Sequence, residues 1–143
     1  KKYQPIVEIG AGSGYWGMLL QSISTRIVCF DKYPGEKNPY KHHATWTSIH
    51  YGDETVLYKM SSHMNLMLSW PPYDDPFAHK ALSLYKGRYL IFIGEGPYGC
   101  TGDDKFFDLL YAKWDEVEEV NLPQWFGLYD VLTIYKRKKG KSK

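Results

Sequence analysis

Apolar residues along this chain come in short runs broken by polar and glycine-rich stretches, and their period switches repeatedly between strand and helix. Ile6, Val7 and Ile9 form a run too short for a buried helix, and glycines follow at positions 10, 12 and 14. Trp16, Leu19, Leu20 and Ile23 then recur on one helical face. Residues 26–30, rich in β-branched and aromatic side chains, read as a second strand, and the loosely alternating residues 45–50 as a third. Residues 64–69 and 88–93 read as a fourth and a fifth. Asp75 and Pro76 open a helix between these two, with Phe77, Ala81, Leu84 and Tyr85 on its apolar face and Gly87 closing it. A further helix carries Phe106, Phe107, Leu110, Tyr111 and Trp114, capped by Thr101 or Asp103. Residues 118–123 and 129–135 are the last two strands, and their connection is too short for a parallel crossover, so they pair as an antiparallel hairpin. Residues 34–44 leave little room for a helix, and residues 58–63 carry no readable pattern.

Strands alternating with helices predict an α/β domain: a doubly wound, mostly parallel sheet in a three-layer sandwich, ending in that antiparallel hairpin. The first strand, glycine loop and helix are its organising stretch. Glycines let the backbone turn sharply and approach a ligand that a Cβ would exclude, and the helix behind them offers unpaired N–H groups to an anionic group. Two templates fit. Gly12, Gly14 and Gly17 satisfy the dinucleotide pattern G-x-G-x-x-G, while Gly10, Gly12 and Gly14 follow a carboxylate, Glu8, on the strand. A pyrophosphate gains nothing from that carboxylate. The sulfonium and ammonium of S-adenosylmethionine are cations, and for them it is well placed.

On the residues from Ile6 to Gly14 the chain resembles the class I S-adenosylmethionine-dependent methyltransferases, whose first motif runs apolar, apolar, acidic, apolar, Gly-x-Gly-x-Gly. Five βα strands closed by a hairpin match the layout of that family over about residues 5–136. The resemblance implies a cofactor site at Glu8, Gly10, Ala11, Gly12, Gly14 and Trp16. Asp31 stands 21 positions beyond Gly10, where an acidic residue binds ribose hydroxyls. Lys32 and Tyr33 flank the adenine, and Asp53 either accepts from its amino group or serves only its turn. A second motif, Ser69, Trp70, Pro71, Pro72 and Tyr73, resembles the Asn/Asp/Ser-Pro-Pro-Tyr/Phe motif of methyltransferases acting on planar amino groups. The chain departs from it by placing Trp70 where the oxygen-bearing side chain belongs. Either Ser69 takes that role or the amine chemistry is altered, and a rigid Pro-Pro connector is the bland alternative. Glu95, in a glycine-rich loop beyond the fifth strand, has no capping role to explain it and is the remaining catalytic candidate.

The 143 residues make one domain, 1–136, followed by a basic and disordered tail, 137–143. Of 18 Lys and Arg residues six lie in residues 136–143, so the body is acidic. It has no basic stripe, which disfavours a nucleic-acid partner except through the tail. No apolar run approaches a membrane span and no signal peptide opens the chain; Lys1 is not an initiator methionine, so the natural N-terminus is expected to lie further back, and the few residues before the first strand leave no room for the helix that usually precedes it in the resembling family. Cys29 and Cys100 form no disulfide or metal pattern, which fits a reducing cytoplasmic or nuclear setting. His42 and His43 lack other ligands at metal spacing and are read as solvent-exposed, so no metal is expected. The function expected is methyl transfer from S-adenosylmethionine to an unidentified acceptor, an amino group being one candidate. The alternatives are a non-catalytic protein that keeps the fold, and a nicotinamide-dependent oxidoreductase.

Overall fold

The computed structural model describes residues 2–40 and 44–140, so His42 and His43 lie outside the described residues. In chain order the elements are β1 (Ile6–Ile9), α1 (Tyr15–Ser22), β2 (Ile27–Asp31), β3 (Ile49–Tyr51), β4 (Asn65–Ser69), α2 (Phe77–Leu84), β5 (Tyr89–Gly94), α3 (Asp104–Lys113), β6 (Trp114–Asn121) and β7 (Val131–Arg137). Short 3-10 turns at Gly35–Lys37 and Glu54–Tyr58 occupy two of the crossovers, in keeping with the little room for a helix in residues 34–44. The strands form one sheet in the order β3-β2-β1-β4-β5-β7-β6. β1 to β5 run parallel, and β7 enters antiparallel between β5 and β6.

The central strands are apolar on both faces because both faces are covered. Val7, Ile9, Leu66, Leu68, Leu90 and Phe92 pack with residues of α2 and α3, and with Leu57 of the second 3-10 turn. Ile6, Met67, Ile91, Ile93 and Ile134 face the other way, against Trp16 and Leu20 of α1. Each large side chain so buried contributes about 1.5–3 kcal/mol relative to exposure, enough to place the core along β1, β4 and β5. Helices, sheet and helix make the three layers expected. Leu57 also explains residues 58–63: a buried anchor precedes them, and within that stretch Met60 packs against the core without a period to read.

Several boundaries differ from the sequence reading. Residues 45–48 do not join the sheet. Trp46 N–H donates to the Ser13 carbonyl at 2.9 Å, and Thr47 Oγ1 donates to Gln21 Oε1 at 2.7 Å, so this polar segment lies along the glycine loop and α1. Trp114 continues the helical spacing of α3 but is extended and opens β6. Its ring stacks on Tyr85 at 5.8 Å, and the Arg137 guanidinium covers it at 4.3 Å, which holds it in the sheet rather than on the helix. β6 therefore starts four residues earlier than its pattern suggests. Asp115, Glu116, Glu118 and Glu119 hide it, since an edge strand exposed on both faces has no hydrophobic period to read. The tail begins later than expected as well. Arg137 closes β7 and donates to the Gly87 and Tyr85 carbonyls, and Lys138 N–H donates to the Lys113 carbonyl at 2.9 Å. Among the described residues no helix is long and apolar enough to cross a membrane.

Candidate functional site

The sheet order reverses between β1 and β4, and in such sheets the crevice at the carboxyl ends of those strands is where ligands bind. A cavity of about 860 Å³ opens there. It takes its floor from the glycine loop, one wall from residues 31–33, 38–40 and 52–54, and the other from residues 69–73 and 75–77 and Lys80.

The loop holds three left-handed glycines in a row of alternate residues, with φ of +75° at Gly10, +56° at Gly12 and +75° at Gly14. That repeat is what the G-x-G-x-G spacing encodes, since a Cβ disfavours the left-handed region. Gly10 and Ala11 N–H groups donate to the Phe30 carbonyl, which ties the loop to β2. Gly14, the cap of α1, does not line the cavity. Its missing Cβ would meet Thr47 Cγ2 at 2.8 Å, so it is packed against the segment behind the loop. Ala11, Gly10, Gly12 and Trp16 do line the cavity.

Glu8 sits beneath the loop, facing α1, with 1% of its surface exposed. Gly17 makes the room: a Cβ there would meet Cys29 Sγ at 2.5 Å and approach Glu8 Oε2. The one hydrogen bond to the Glu8 carboxylate among the described residues comes from the Cys29 thiol, at 3.4 Å. Burial, reinforced by the Asp31 charge, raises the Glu8 carboxyl to about 7 despite that bond. Burial likewise pushes the Cys29 thiol to about 12, with Glu8 adding to it. An under-partnered buried carboxylate at the wall of a cavity is costly, and a cation placed there removes the cost.

Asp31 ends β2 at the cavity, 7% exposed. Its Oδ2 accepts from the Gly12 N–H at 2.8 Å and its Oδ1 from the Tyr33 N–H at 2.7 Å. It therefore shapes the glycine loop as well as facing the cavity, and is less exposed than its strand-end position suggests. Lys32 lies over the Tyr33 ring at 5.5 Å, and both line the cavity. Asp53 faces the same wall, and it also caps its 3-10 turn. Its carboxyl is held below the usual range by the Thr55 hydroxyl, then by the Thr55 N–H, with Lys32 helping. Asp53 thus serves its turn and lines the cavity as well.

At the mouth, Ser69, Trp70, Pro71 and Tyr73 line the cavity together. Trp70 has φ +48°, a conformation unusual for a bulky residue and favourable for Asn, Asp or Gly. The strand-to-loop reversal imposes it: Trp70 N–H donates to the Ile93 carbonyl, and the Pro71 carbonyl accepts from Gly102. The indole N–H donates to Asp130 Oδ2 at 3.1 Å.

Glu95 is a correction. It does not line the cavity, and it has a structural role after all. Oε2 accepts from the Cys100 N–H at 2.7 Å and Oε1 from the Tyr129 N–H at 2.9 Å. These two bonds lower its carboxyl, the Tyr129 one more, and its own loop shields it near the surface. Asp103 caps α3 through the Phe106 N–H, as one of the two sequence candidates for that role. Sequence reasoning missed Asn38, Tyr40, Phe77, Lys80 and Cys100 as cavity residues. Phe77 was legible only as core, Lys80 only as off the apolar face of its helix, and the others sit in stretches whose pattern carries no facing information. Among the described residues no group of His, Cys, Asp or Glu could hold a metal ion.

Neither a protein-family model nor a curated protein matches the chain. Solved structures do resemble it. MtNAS, as a mutant in complex with S-adenosylmethionine, is similar over 95% of this chain and 56% of that one, at 16% identity and a TM-score of 0.60. The chain therefore spans little more than half of that protein. The Burkholderia thailandensis 1,6-didemethyltoxoflavin-N1-methyltransferase, with S-adenosylhomocysteine bound, is similar over 94% and 71%, at 14% identity and 0.57. Magnesium protoporphyrin IX methyltransferase from Synechocystis PCC 6803, with its S-adenosylmethionine, is similar over 93% and 69%, at 11% and 0.54. This chain has the fold of the class I S-adenosylmethionine-dependent methyltransferases.

Proposed function

We propose that the chain binds S-adenosylmethionine in this cavity and transfers its methyl group to an acceptor at the mouth formed by Ser69, Trp70 and Tyr73. The observation that carries the reading is Glu8, a buried carboxylate beside a second carboxylate, with a thiol as its donor. Among the described residues no cation pairs with Glu8, and S-adenosylmethionine would bring one. Glu8 holds the positively charged end, Gly10, Ala11 and Gly12 provide the floor, and Asp31 the ribose hydroxyls. Lys32, Tyr33 and Asp53 hold the adenine side. Phosphates gain nothing from a floor whose nearest charges are negative, which counts against a nicotinamide dinucleotide.

Bound, the cofactor supplies an electrophilic methyl group on a cationic sulfur. The chain then contributes alignment and desolvation, which can account for much of a barrier of this kind. The acceptor's lone pair forms the bond to carbon, the carbon–sulfur pair returns to sulfur, and any proton lost passes to solvent. Aromatic faces at Trp16, Trp70 and Tyr73 favour positive charge in the transition state. Trp70 does not present a hydrogen-bond acceptor to an amine, and its N–H is already committed to Asp130. That leaves Ser69 as the side-chain oxygen in the position to serve an amino group. The same commitment of Trp70 favours a second reading, in which the fold binds the cofactor without catalysis.

Calorimetry with S-adenosylmethionine, S-adenosylhomocysteine and NAD tests the first step. Binding of the first two and not of NAD is expected, and Asp31→Ala should weaken it by about 1.5–3 kcal/mol through lost charged hydrogen bonds. Tight NAD binding would sink the reading. Ser69→Ala should lower methyl transfer to an amine while leaving cofactor affinity in place, and turnover that survives it would remove Ser69 from the mechanism.

A further inference from the structure

Three loops meet at the carboxyl edge of β4 and β5 beside the cavity: residues 70–76 after β4, most of which line it, residues 95–103 after β5, of which Cys100 lines it, and residues 122–130 between β6 and β7, which adjoin the other two. Their contiguity is direct. Asp130 accepts from the Trp70 indole, and Glu95 accepts from the Tyr129 N–H. Their composition is lopsided. They hold six aromatic residues, Trp70, Tyr73, Tyr98, Trp125, Phe126 and Tyr129, and five carboxylates, Asp74, Asp75, Glu95, Asp103 and Asp130, with no Lys, Arg or His. Trp70 is the least exposed of the six aromatics, and Trp125 is 82% exposed with no part in the cavity lining. The carboxylates that are bonded are bonded to neutral N–H groups, so their charge stays.

We propose that this mouth docks a lysine- and arginine-rich polypeptide segment, which is the methyl acceptor. The assignment of acceptor rests on the methyl-transfer reading above, and the docking surface does not. The chemistry selects this occupant on two counts. The charged side chains of these three loops are all carboxylates, which attract cations and repel phosphate backbones, and exposed aromatic faces bind ammonium and guanidinium groups. The size selects a polypeptide over a small amine. Trp125, Phe126 and Tyr98 lie outside the cavity, where a small molecule seated at Trp70 leaves them exposed, and exposed large aromatics are a mark of partner surfaces. A lysine of the docked segment would enter the cavity at Tyr73 as its neutral amine. Its nitrogen lone pair would form the bond to the methyl carbon as the carbon–sulfur bond breaks and leaves its pair on sulfur, and one proton of the resulting methylammonium would pass to solvent.

The test is fluorescence anisotropy with labelled deca-lysine, competed by deca-glutamate and by an oligothymidylate. Wild type should bind deca-lysine with a strong salt dependence, and neither competitor should displace it by binding the protein. The double variant Trp125→Ala, Phe126→Ala should weaken deca-lysine about tenfold. It should keep the melting temperature and the S-adenosylhomocysteine affinity of wild type, since both side chains are exposed and outside the cavity. Glu116→Gln with Glu119→Gln on β6 should leave deca-lysine binding in place. Equal binding by wild type and the aromatic variant overturns the proposal, as does loss through the β6 variant or tighter binding of oligothymidylate. A concentration-dependent dimer abolished by the aromatic variant, with no deca-lysine binding, overturns it in favour of a second copy. Mass spectrometry of deca-lysine with S-adenosylmethionine should show methyl groups on lysine nitrogen. Docking without methylation, with S-adenosylhomocysteine bound, overturns the acceptor assignment. Failure of S-adenosylhomocysteine to bind overturns the cofactor reading instead.

Discussion

Two carboxylates in this molecule are similarly hidden and opposite in meaning. Glu8, under the glycine loop, has one weak thiol donor and a carboxyl raised to about 7. Glu95, at the mouth, has two backbone N–H donors and a carboxyl held low. The first is an interaction left open on the protein side, and the second is closed. A buried charge with its donors supplied is part of the scaffold, whereas one without them points to a ligand. The same contrast separates the two ends of the site. The floor is built of glycines at positive φ around an under-partnered carboxylate, and the mouth is built of loops latched to each other.

The largest effect should come from the floor. Gly14→Ala places a Cβ in the left-handed region and 2.8 Å from Thr47 Cγ2, and strain plus overpacking should cost about 3 kcal/mol. A melting temperature unchanged by this substitution would show that the loop can rearrange, and would weaken the contrast at its base. Glu8→Gln should do the reverse to the free protein. A carboxyl raised from its ordinary value makes the folded state bind a proton that the unfolded state has released, so stability falls as pH rises from about 4.5 to about 7 and is level above. Removing the charge should therefore stabilise the unliganded protein at pH 8 by about 2–3 kcal/mol, and leave it unchanged at pH 4. The same variant should bind S-adenosylmethionine about tenfold or more weakly. Wild-type affinity should rise with pH through about 7, read by calorimetry at a series of pH values.

At the mouth, Glu95→Ala should cost about 2 kcal/mol, because it leaves two N–H groups without an acceptor, and should spare cofactor affinity. Here the sign is opposite to that of Glu8. A lowered carboxyl contributes stability that is present above its ordinary range and lost as pH falls through its folded value. If Glu95→Ala abolished cofactor binding while preserving stability, Glu95 would belong with Glu8 and the contrast would break. The smallest effect is Trp70→Asn. Asn tolerates φ +48° better than Trp, which offsets the lost bond to Asp130, and the net change should lie within about 1 kcal/mol of zero. Thermal denaturation measures it.

What the sequence revealed follows the same division. The floor was legible because each part has a local cause: glycines for positive φ, an apolar run for a strand buried on both faces, an acidic residue one βα unit later. The hairpin was legible from the shortness of its connection. Glu95 was misread because its partners, Cys100 and Tyr129, are backbone groups, one of them 34 residues away, and backbone donors leave no trace in a sequence. Trp114 was misread because helical spacing persists across the boundary of α3, while the contact that decides the matter is with Arg137 at the far end of the chain. Arg137 in turn was taken for tail because its basic neighbours mask it. Patterning reports which face a residue presents, and it is silent about which loop another loop will meet.

The placement of β7 has a consequence for how the chain folds as it is made. β6 pairs with no strand except β7, so it has no place in the sheet until residues 131–137 have emerged from the ribosome. Until then β5 is an edge strand of Leu, Ile and Phe with its hydrogen-bonding groups open. Nascent chains exposed only as far as residues 95–130 should carry a nearly complete glycine-loop floor beside a sticky border, a combination prone to mispairing and to capture by chaperones. Completion of the domain is therefore a single late event, the insertion of one strand of seven residues.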